Sequence, residues 1–302
     1  MNSKFNKPKG FSEILDHTFS LSKNRFKDFF MILLILIGPI YLLQAIIQLF
    51  SGVSFFRELR SGDVWYEQIL SGLVETETSV SSIGADIGLI LTGLLGFLLF
   101  PVAEGAILFA INHIRKNEEY TVGSVIKEAF SRFWPMIGSS ILFGLITFGL
   151  VIVPIFFVSI TGFIGSILHP AIGILLAIIL FLGCAVGIGY LLTRWSFYFG
   201  SVVLDRESPG FSNSWRLTSN RTWILIGLYL LFFLIISSIS FAVEMTFSIF
   251  LGYSVLLSII SNLVTLFTTM ILSVGYGVMY LDLKIRHDAD DLKEMIDDYH
   301  KY

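Results

Sequence analysis

Ala171-Ile-Gly-Ile-Leu-Leu-Ala-Ile-Ile-Leu-Phe-Leu-Gly-Cys-Ala-Val-Gly-Ile-Gly-Tyr-Leu-Leu-Thr193 contains no charged side chain and is closed by Arg194 and Trp195. A helix crossing the roughly 30 Å of hydrocarbon in a bilayer needs about 20 apolar residues at 1.5 Å of rise each. A strand of a membrane barrel needs only about 10, in alternation, and this stretch does not alternate. Lipid offers a backbone amide no water to bond, so an apolar run of this length is stable only when its amides pair along a single helix. With His169 and Pro170 as its entry, the run predicts a transmembrane helix over 169–193.

Five further runs of the same kind lie at about 28–51, 84–112, 135–160, 223–247 and 255–281. The 302 residues are 55% hydrophobic and only 14% charged. A soluble domain carries roughly 25% charged residues to keep its surface wet, so the missing polar surface here must face lipid. The reading is one all-α integral membrane domain of six spans. A cytoplasmic amphipathic segment covers 1–27, the six-span bundle 28–281, with an outer loop at 52–83, and a cytoplasmic amphipathic tail 282–302. Short links around Thr161–Pro170 and Ser248–Ser254 join spans three to four and five to six. The first apolar run is too long for a signal-peptide core and no small-residue cleavage pattern follows it, so it is expected to be retained as a span.

The basic residues orient the bundle. Lys4, Lys7, Lys9, Lys23, Arg25 and Lys27 precede span one, and Arg115, Lys116, Lys127 and Arg132 link spans two and three. Arg194, Arg206, Arg216 and Arg221 link four and five, and Lys284, Arg286, Lys293 and Lys301 follow span six. Eighteen of the 20 basic residues thus fall on one side, and only Arg57 and Arg60 on the other. Positive residues stay in the cytoplasm, which places both termini inside a bacterial cytoplasmic membrane. The outer loop carries Glu58, Asp63, Glu67, Glu75 and Glu77, with Trp65 and Tyr66 as anchors, and is too small for a catalytic domain.

A threefold pattern runs through the cytoplasmic entries. Phe11 to Phe19 leads into Asn24-Arg25-Phe26, Gly123 to Phe130 into Ser131-Arg132-Phe133-Trp134, and Phe211 to Thr218 into Asn220-Arg221-Thr222-Trp223. Each begins near a serine suited to cap a helix (Ser12, Ser124, Ser212) and then repeats apolar residues at helical spacing. Each ends in an arginine and an aromatic. Such a helix lies in the interface plane, its arginine reaching the headgroups and its ring resting at the boundary. The architecture expected is three hairpins, each preceded by a cytoplasmic interfacial helix, with Arg25, Arg132, Trp134, Trp195, Trp215, Arg221 and Trp223 as interfacial anchors. Convergence alone can also produce such entries.

Three stretches resemble the membrane domain found beside some bacterial glycerophosphodiester phosphodiesterases and in stand-alone uncharacterised membrane proteins of Gram-positive bacteria. They are Phe11 to Phe19; Arg194-Trp195-Ser196 with Ser214-Trp215-Arg216-Leu217-Thr218; and Asp282-Leu283-Lys284-Ile285-Arg286 with Asp291-Leu292. In fused members the catalysis belongs to a separate barrel. The resemblance therefore implies a membrane module without known chemistry of its own, and not phosphodiester cleavage.

Ionisable groups inside spans are candidates for function, because burying a charge in hydrocarbon costs at least about 2.5–3.5 kcal/mol. Glu104 follows Pro101, a residue that frees a carbonyl and kinks helices. It can pair with Arg194 or bind a cation or a proton; a structural ion pair is the plainer alternative. Glu244, near the outer end of span five, can approach a polar face of span six formed by Ser254, Ser258, Asn262, Thr265 and Thr269. That face either lines a water path or makes interhelical hydrogen bonds worth about 0.6 kcal/mol each. Gly84/Gly88 and Gly183/Gly187 have the spacing that lets helices approach closely.

No phosphate-binding loop, His-Glu-x-x-His or Gly-x-Ser-x-Gly motif occurs, and the histidines and the lone Cys184 lack ligand spacing. No catalytic residue, metal or cofactor is expected, and the net charge of −3 argues against a nucleic-acid partner. The leading expectation is a non-enzymatic scaffold or accessory subunit working through membrane lipids and a membrane or cytoplasmic protein partner. A small transporter using Glu104 and Glu244 is the alternative.

Overall fold

The structure, a computed structural model, describes residues 7–56, 83–252 and 254–299. All regular structure among them is helical. The helices are α1 (Phe11–Asn24), α2 (Phe26–Leu36), α3 (Gly38–Phe50), α4 (Ile83–Lys116), α5 (Val122–Ser131), α6 (Phe133–Leu168), α7 (Pro170–Trp195), the single turn α8 (Tyr198–Gly200), α9 (Phe211–Leu217), α10 (Thr222–Leu251) and α11 (Val255–Tyr299). A widened π turn, Ser201–Asp205, follows α8. Five helices are long and apolar enough to cross a membrane: α4, α6, α7, α10 and α11. The pair α2–α3 makes a sixth if it is taken as one broken span. The chain is therefore a multi-pass membrane protein. Of the outer loop expected at 52–83, all five acidic residues, both arginines and the Trp65 and Tyr66 anchors lie outside the described residues.

Three boundaries differ from the expectation. The first run is bent by 48° between α2 and α3 rather than forming one straight helix over 28–51. Gly38-Pro39 explains the break: proline has no N–H to give the preceding turn, and its ring crowds that turn, whereas it is well placed at the start of a new helix. Between α6 and α7 the expected loop is one residue, His169, whose Nδ1 accepts the Ala171 N–H at 3.2 Å. The third difference is the tail, which is no separate helix. It continues α11 without a break for 45 residues, about 68 Å at 1.5 Å per residue, so the helix must extend well beyond a bilayer core.

The short helices start earlier than their serines suggested. Gly10 and Gly210 precede α1 and α9, so Ser12 and Ser212 lie inside the first turn instead of capping it. At α5 the cap is Thr121. Its Oγ1 accepts the Ser124 N–H at 3.1 Å while Ser124 Oγ accepts the Thr121 N–H at 3.0 Å, a reciprocal capping box.

The chain forms two compact units. The first is built from Ser12–Ser131 and Leu230–Met279. Its centre is the second half of α4, where Val102, Ala103, Ala106, Ile107, Leu108, Ala110 and Ile111 are all buried. The recurring alanines let neighbours close in on every side. Gly277 of α11 sits so close to Ile111 and Leu108 that a β-carbon there would collide with them. The start of α11 is tied down by Val255 and Leu256, whose N–H groups donate to the carbonyls of Ser54 and Phe55 at 3.1 and 3.2 Å. Two of the four amides that a helix start leaves unpaired are met this way.

The second unit holds Arg132–Tyr229, residues 7–11 and the chain from Tyr280 onward. Here α6 and α7 run antiparallel and meet at glycine: a β-carbon on Gly165 would strike Gly173, and one on Gly173 would strike the backbone of Gly162 and Ser166. Close approach between α6 and α7 therefore rests on these glycines, while a β-carbon on Gly84, Gly183 or Gly187 would meet nothing among the described residues. Of the expected set only Gly88 is in contact, with Ile47. Beyond this seam the most apolar 18-residue stretch of α6 has none of its residues buried, a surface suited to lipid and not to water.

Candidate functional site

Of the candidates drawn from the spans, Glu104, Glu244 and Asn262 belong to the first unit and Arg194 to the second. Glu104 is half-buried in the central helix of the first unit, and among the described residues it makes no ion pair. Among the described residues Arg194 does not spend its guanidinium on a carboxylate. Its Nη2 donates to the Trp215 carbonyl at 2.6 Å, its Nη1 to the Tyr190 hydroxyl at 3.3 Å, and its plane lies 3.9 Å over the Trp215 ring, within the range of a cation–π contact. Glu244 is exposed. Asn262 is half-buried, with Nδ2 buried and unpartnered. Along the polar face of α11, Thr265 Oγ1 donates to the Ser261 carbonyl one turn back, and the neighbouring Thr268 does likewise to Val264. These hydroxyls are thus satisfied by their own helix.

The ionisable groups that do converge lie in the second unit, around two aspartates. Asp282, with 2% of its side chain exposed, sits on α11 where the apolar pattern gives way to charge. Its Oδ1 accepts the Lys9 backbone N–H at 2.6 Å and its Oδ2 accepts Arg286 Nε, one turn on, at 2.9 Å. Arg286 Nη2 in turn donates to the Lys9 carbonyl at 2.7 Å, so one arginine fastens both the carboxylate and the N-terminal segment beside it. Arg221 Nη1 approaches Asp282 Oδ2 only to 3.9 Å. Burial, then the neighbouring Arg286, lower the proton affinity of Arg221, and Asp282 opposes both.

Asp205 closes the π turn, and its carboxylate accepts Lys284 Nζ and the Tyr280 hydroxyl, with Asn213 Nδ2 at 3.2 Å. Ser201, wholly buried, takes part through the Asn213 amide at 3.1 Å and the Tyr280 hydroxyl at 3.4 Å. Gly200 makes this possible, because any β-carbon there would collide with the Tyr280 ring. An extra residue in a π turn redirects the side chains that follow it, and here it presents Asp205 to α11. Nearby, Arg132 Nη2 donates to the Val202 carbonyl at 2.8 Å while its buried Nε has no partner among the described residues. Burial, then Arg206, lower its proton affinity.

The first unit holds a smaller cluster. His113 Nδ1 lies 2.6 Å from Glu118 Oε2 and its Nε2 lies 3.1 Å from Glu128 Oε2, so one imidazole bridges two carboxylates. Its ring stacks on Tyr120, whose hydroxyl donates to Asp28 at 2.9 Å. Burial, then this bond, hold that phenol protonated well above its ordinary range. Asp28 also faces Arg25 at 3.6 Å, so the expected anchor Arg25 is paired within the protein.

The other expected anchors divide in two. Trp134 and Trp223 are 79% and 66% exposed, and Trp195 and Trp215 are tilted against one another with centroids 5.8 Å apart. Sequence reasoning missed Asp205, Asn213, Tyr280 and Asp282 as site residues. Their one legible signal was the alternation Asp282-Leu-Lys284-Ile-Arg286, charge breaking into an apolar helix; the Asp205 partners come from segments about 75 residues apart. No protein family, no curated protein and no solved structure matches this chain.

Proposed function

We propose that this chain is a non-catalytic protein of a bacterial cytoplasmic membrane, with both termini in the cytoplasm, acting as a scaffold or accessory subunit that engages anionic lipids and a protein partner. The observation that carries the reading is how the arginines near the helix ends are held. Arg132, Arg194 and Arg286 all donate to backbone carbonyls, those of Val202, Trp215 and Lys9. A carbonyl fixes a guanidinium without cancelling its charge, so Arg132 and Arg194 are held in a fixed place with no carboxylate partner among the described residues. An anionic leaflet attracts each such residue by about 1 kcal/mol. The exposed rings of Trp134 and Trp223, together with Phe130 and Trp215, stand beside these arginines in sequence, as expected at a headgroup boundary.

The finer architecture belongs to the same proposal. Three short helices (α1, α5 and α9) each precede an arginine and a long apolar segment, consistent with three units of interfacial helix and hairpin. Each short helix turns one stripe into the protein (Ile14 and Leu21; Val125 and Ala129; Ser214 and Leu217) and leaves an aromatic outside (Phe19, Phe130, Trp215). The resemblance to the membrane domain that accompanies phosphodiesterases implies the same non-catalytic role.

A second reading, a small transporter, draws on Gln48 Oε1 and Asn262 Nδ2, two buried polar atoms of the first unit without partners, and on the half-buried Glu104. Mass spectrometry of lipids and proteins copurifying with the tagged chain in mild detergent separates the two, with Glu104→Gln and Arg194→Ala alongside. The scaffold reading expects anionic lipid enriched over the bulk membrane and a specific protein partner, with enrichment reduced in Arg194→Ala. Bulk lipid composition and no partner, together with proteoliposome flux abolished by Glu104→Gln, favour the transporter.

A further inference from the structure

The second unit places two guanidiniums, those of Arg221 and Arg286, beside one carboxylate, Asp282. Arg286 is anchored at two points, by Nε to Asp282 and by Nη2 to the Lys9 carbonyl. Arg221 is not. Its closest anionic atom is 3.9 Å away, beyond hydrogen-bond range, and among the described residues its side chain makes no hydrogen bond. Its side chain is 26% exposed and that of Arg286 24%, so both are partly withdrawn from water yet reachable from outside. Asp282 thus faces two guanidiniums with one carboxylate, and among the described residues the N–H donors of Arg221 make no hydrogen bond to the protein.

The backbone holds Arg221 in this position. Asn220 adopts a positive φ of 63°, closing the turn that follows α9, and the Arg221 carbonyl accepts the Leu225 N–H at 3.1 Å. Arg221 is thereby set at the N-terminus of the 30-residue helix α10, the end whose dipole favours an anion. The exposed Trp223 follows two residues later. A guanidinium with free donors, a second guanidinium behind it and a positive helix end together match one ligand chemistry, an oxyanion whose two oxygens span the arginine fork.

We propose that Arg221, backed by Arg286, binds a phosphate group, either that of an anionic phospholipid or a free phosphate. The proposal rests on the lipid-engaging reading above and gives it an address. Asp282 then has two roles. It holds Arg286 in place, and among the described side chains it is the one carboxylate set against two guanidiniums. Glutamine at 221 removes one positive charge and the fork while leaving the Asp282–Arg286–Lys9 contacts intact, so the protein is expected to fold and melt as the wild type does.

The test is native mass spectrometry of the purified full-length chain in mild detergent, titrated in separate arms with dioleoylphosphatidylglycerol and with inorganic phosphate. Wild type is compared with Arg221→Gln, Arg221→Lys and Lys116→Gln, the last removing one exposed positive charge elsewhere. Arg221→Gln is expected to weaken binding about tenfold, as loss of a charge-assisted hydrogen bond implies, with Arg221→Lys intermediate and Lys116→Gln near wild type. Loss confined to the phosphatidylglycerol arm supports a lipid headgroup, and loss in the phosphate arm supports a soluble anion. Equal binding by Arg221→Gln and Lys116→Gln overturns the site while leaving general lipid engagement standing. If the wild type binds neither probe, both readings are overturned.

Discussion

Replacing Asp282 with asparagine keeps the side chain's shape and removes its charge. In the native protein the carboxylate accepts the Lys9 N–H at 2.6 Å and Arg286 Nε at 2.9 Å, with 2% of its side chain exposed. Asparagine retains one acceptor and turns its amide donors toward groups that also donate. Removing one partner of a buried ion pair costs about 3–5 kcal/mol. Arg286 and Arg221 are each about a quarter exposed, so water recovers part of their charge energy, which places the expectation at the lower end, about 3 kcal/mol. At about 2–4 °C per kcal/mol for a chain of this class, the apparent melting temperature should fall by roughly 6–12 °C. The assay is a tryptophan-fluorescence melt in matched detergent at one heating rate, because such unfolding is seldom reversible. Asp282→Asn/Arg286→Gln completes a double-mutant cycle and should lose clearly less than the two single losses combined. A single variant melting within about 2 °C of wild type, or strict additivity in the cycle, would refute the argument that this pair fastens the N-terminal segment to α11.

Further outcomes follow from the same geometry. Gly173→Ala forces a β-carbon into the backbone of α6 and should lower the melting temperature by the equivalent of about 1–3 kcal/mol, whereas Gly187→Ala, which faces open space, should leave it unchanged in the same melt. Asp205→Asn strips the partner from Lys284 and Tyr280; since Lys284 is 30% exposed, the expected loss is smaller than at Asp282, about 1–2 kcal/mol. In proteoliposomes, lipids brominated near the headgroup should quench Trp134 and Trp223 more strongly than lipids brominated at the chain end, read from variants keeping one tryptophan at a time. The opposite order would remove both from the interface.

What was legible beforehand follows from the kind of information each feature carries. The spans were readable because lipid imposes a one-dimensional rule: enough apolar residues in succession must form a helix with every amide paired. The same rule tolerated the details that came out differently. It marked 28–51 as apolar without weighing Gly38-Pro39, and it treated residues 161–170 as a link because glycines are frequent there, when two of those glycines are the packing seam. It also ended α11 where its lipid-facing composition ended, although nothing at Leu281 stops a helix.

Composition and the apolar runs are properties of the chain order alone, so they determined an all-helical, multi-pass membrane protein. Which charges meet was decided only by tertiary structure. Arg194 pairs with the carbonyl and ring of Trp215, Asp282 gathers the backbone of Lys9, and Asp205 reaches Tyr280 and Lys284 across about 75 residues of sequence. No periodicity encodes such meetings, because a hydrogen bond depends on ångström-scale placement that arises only once the helices have packed.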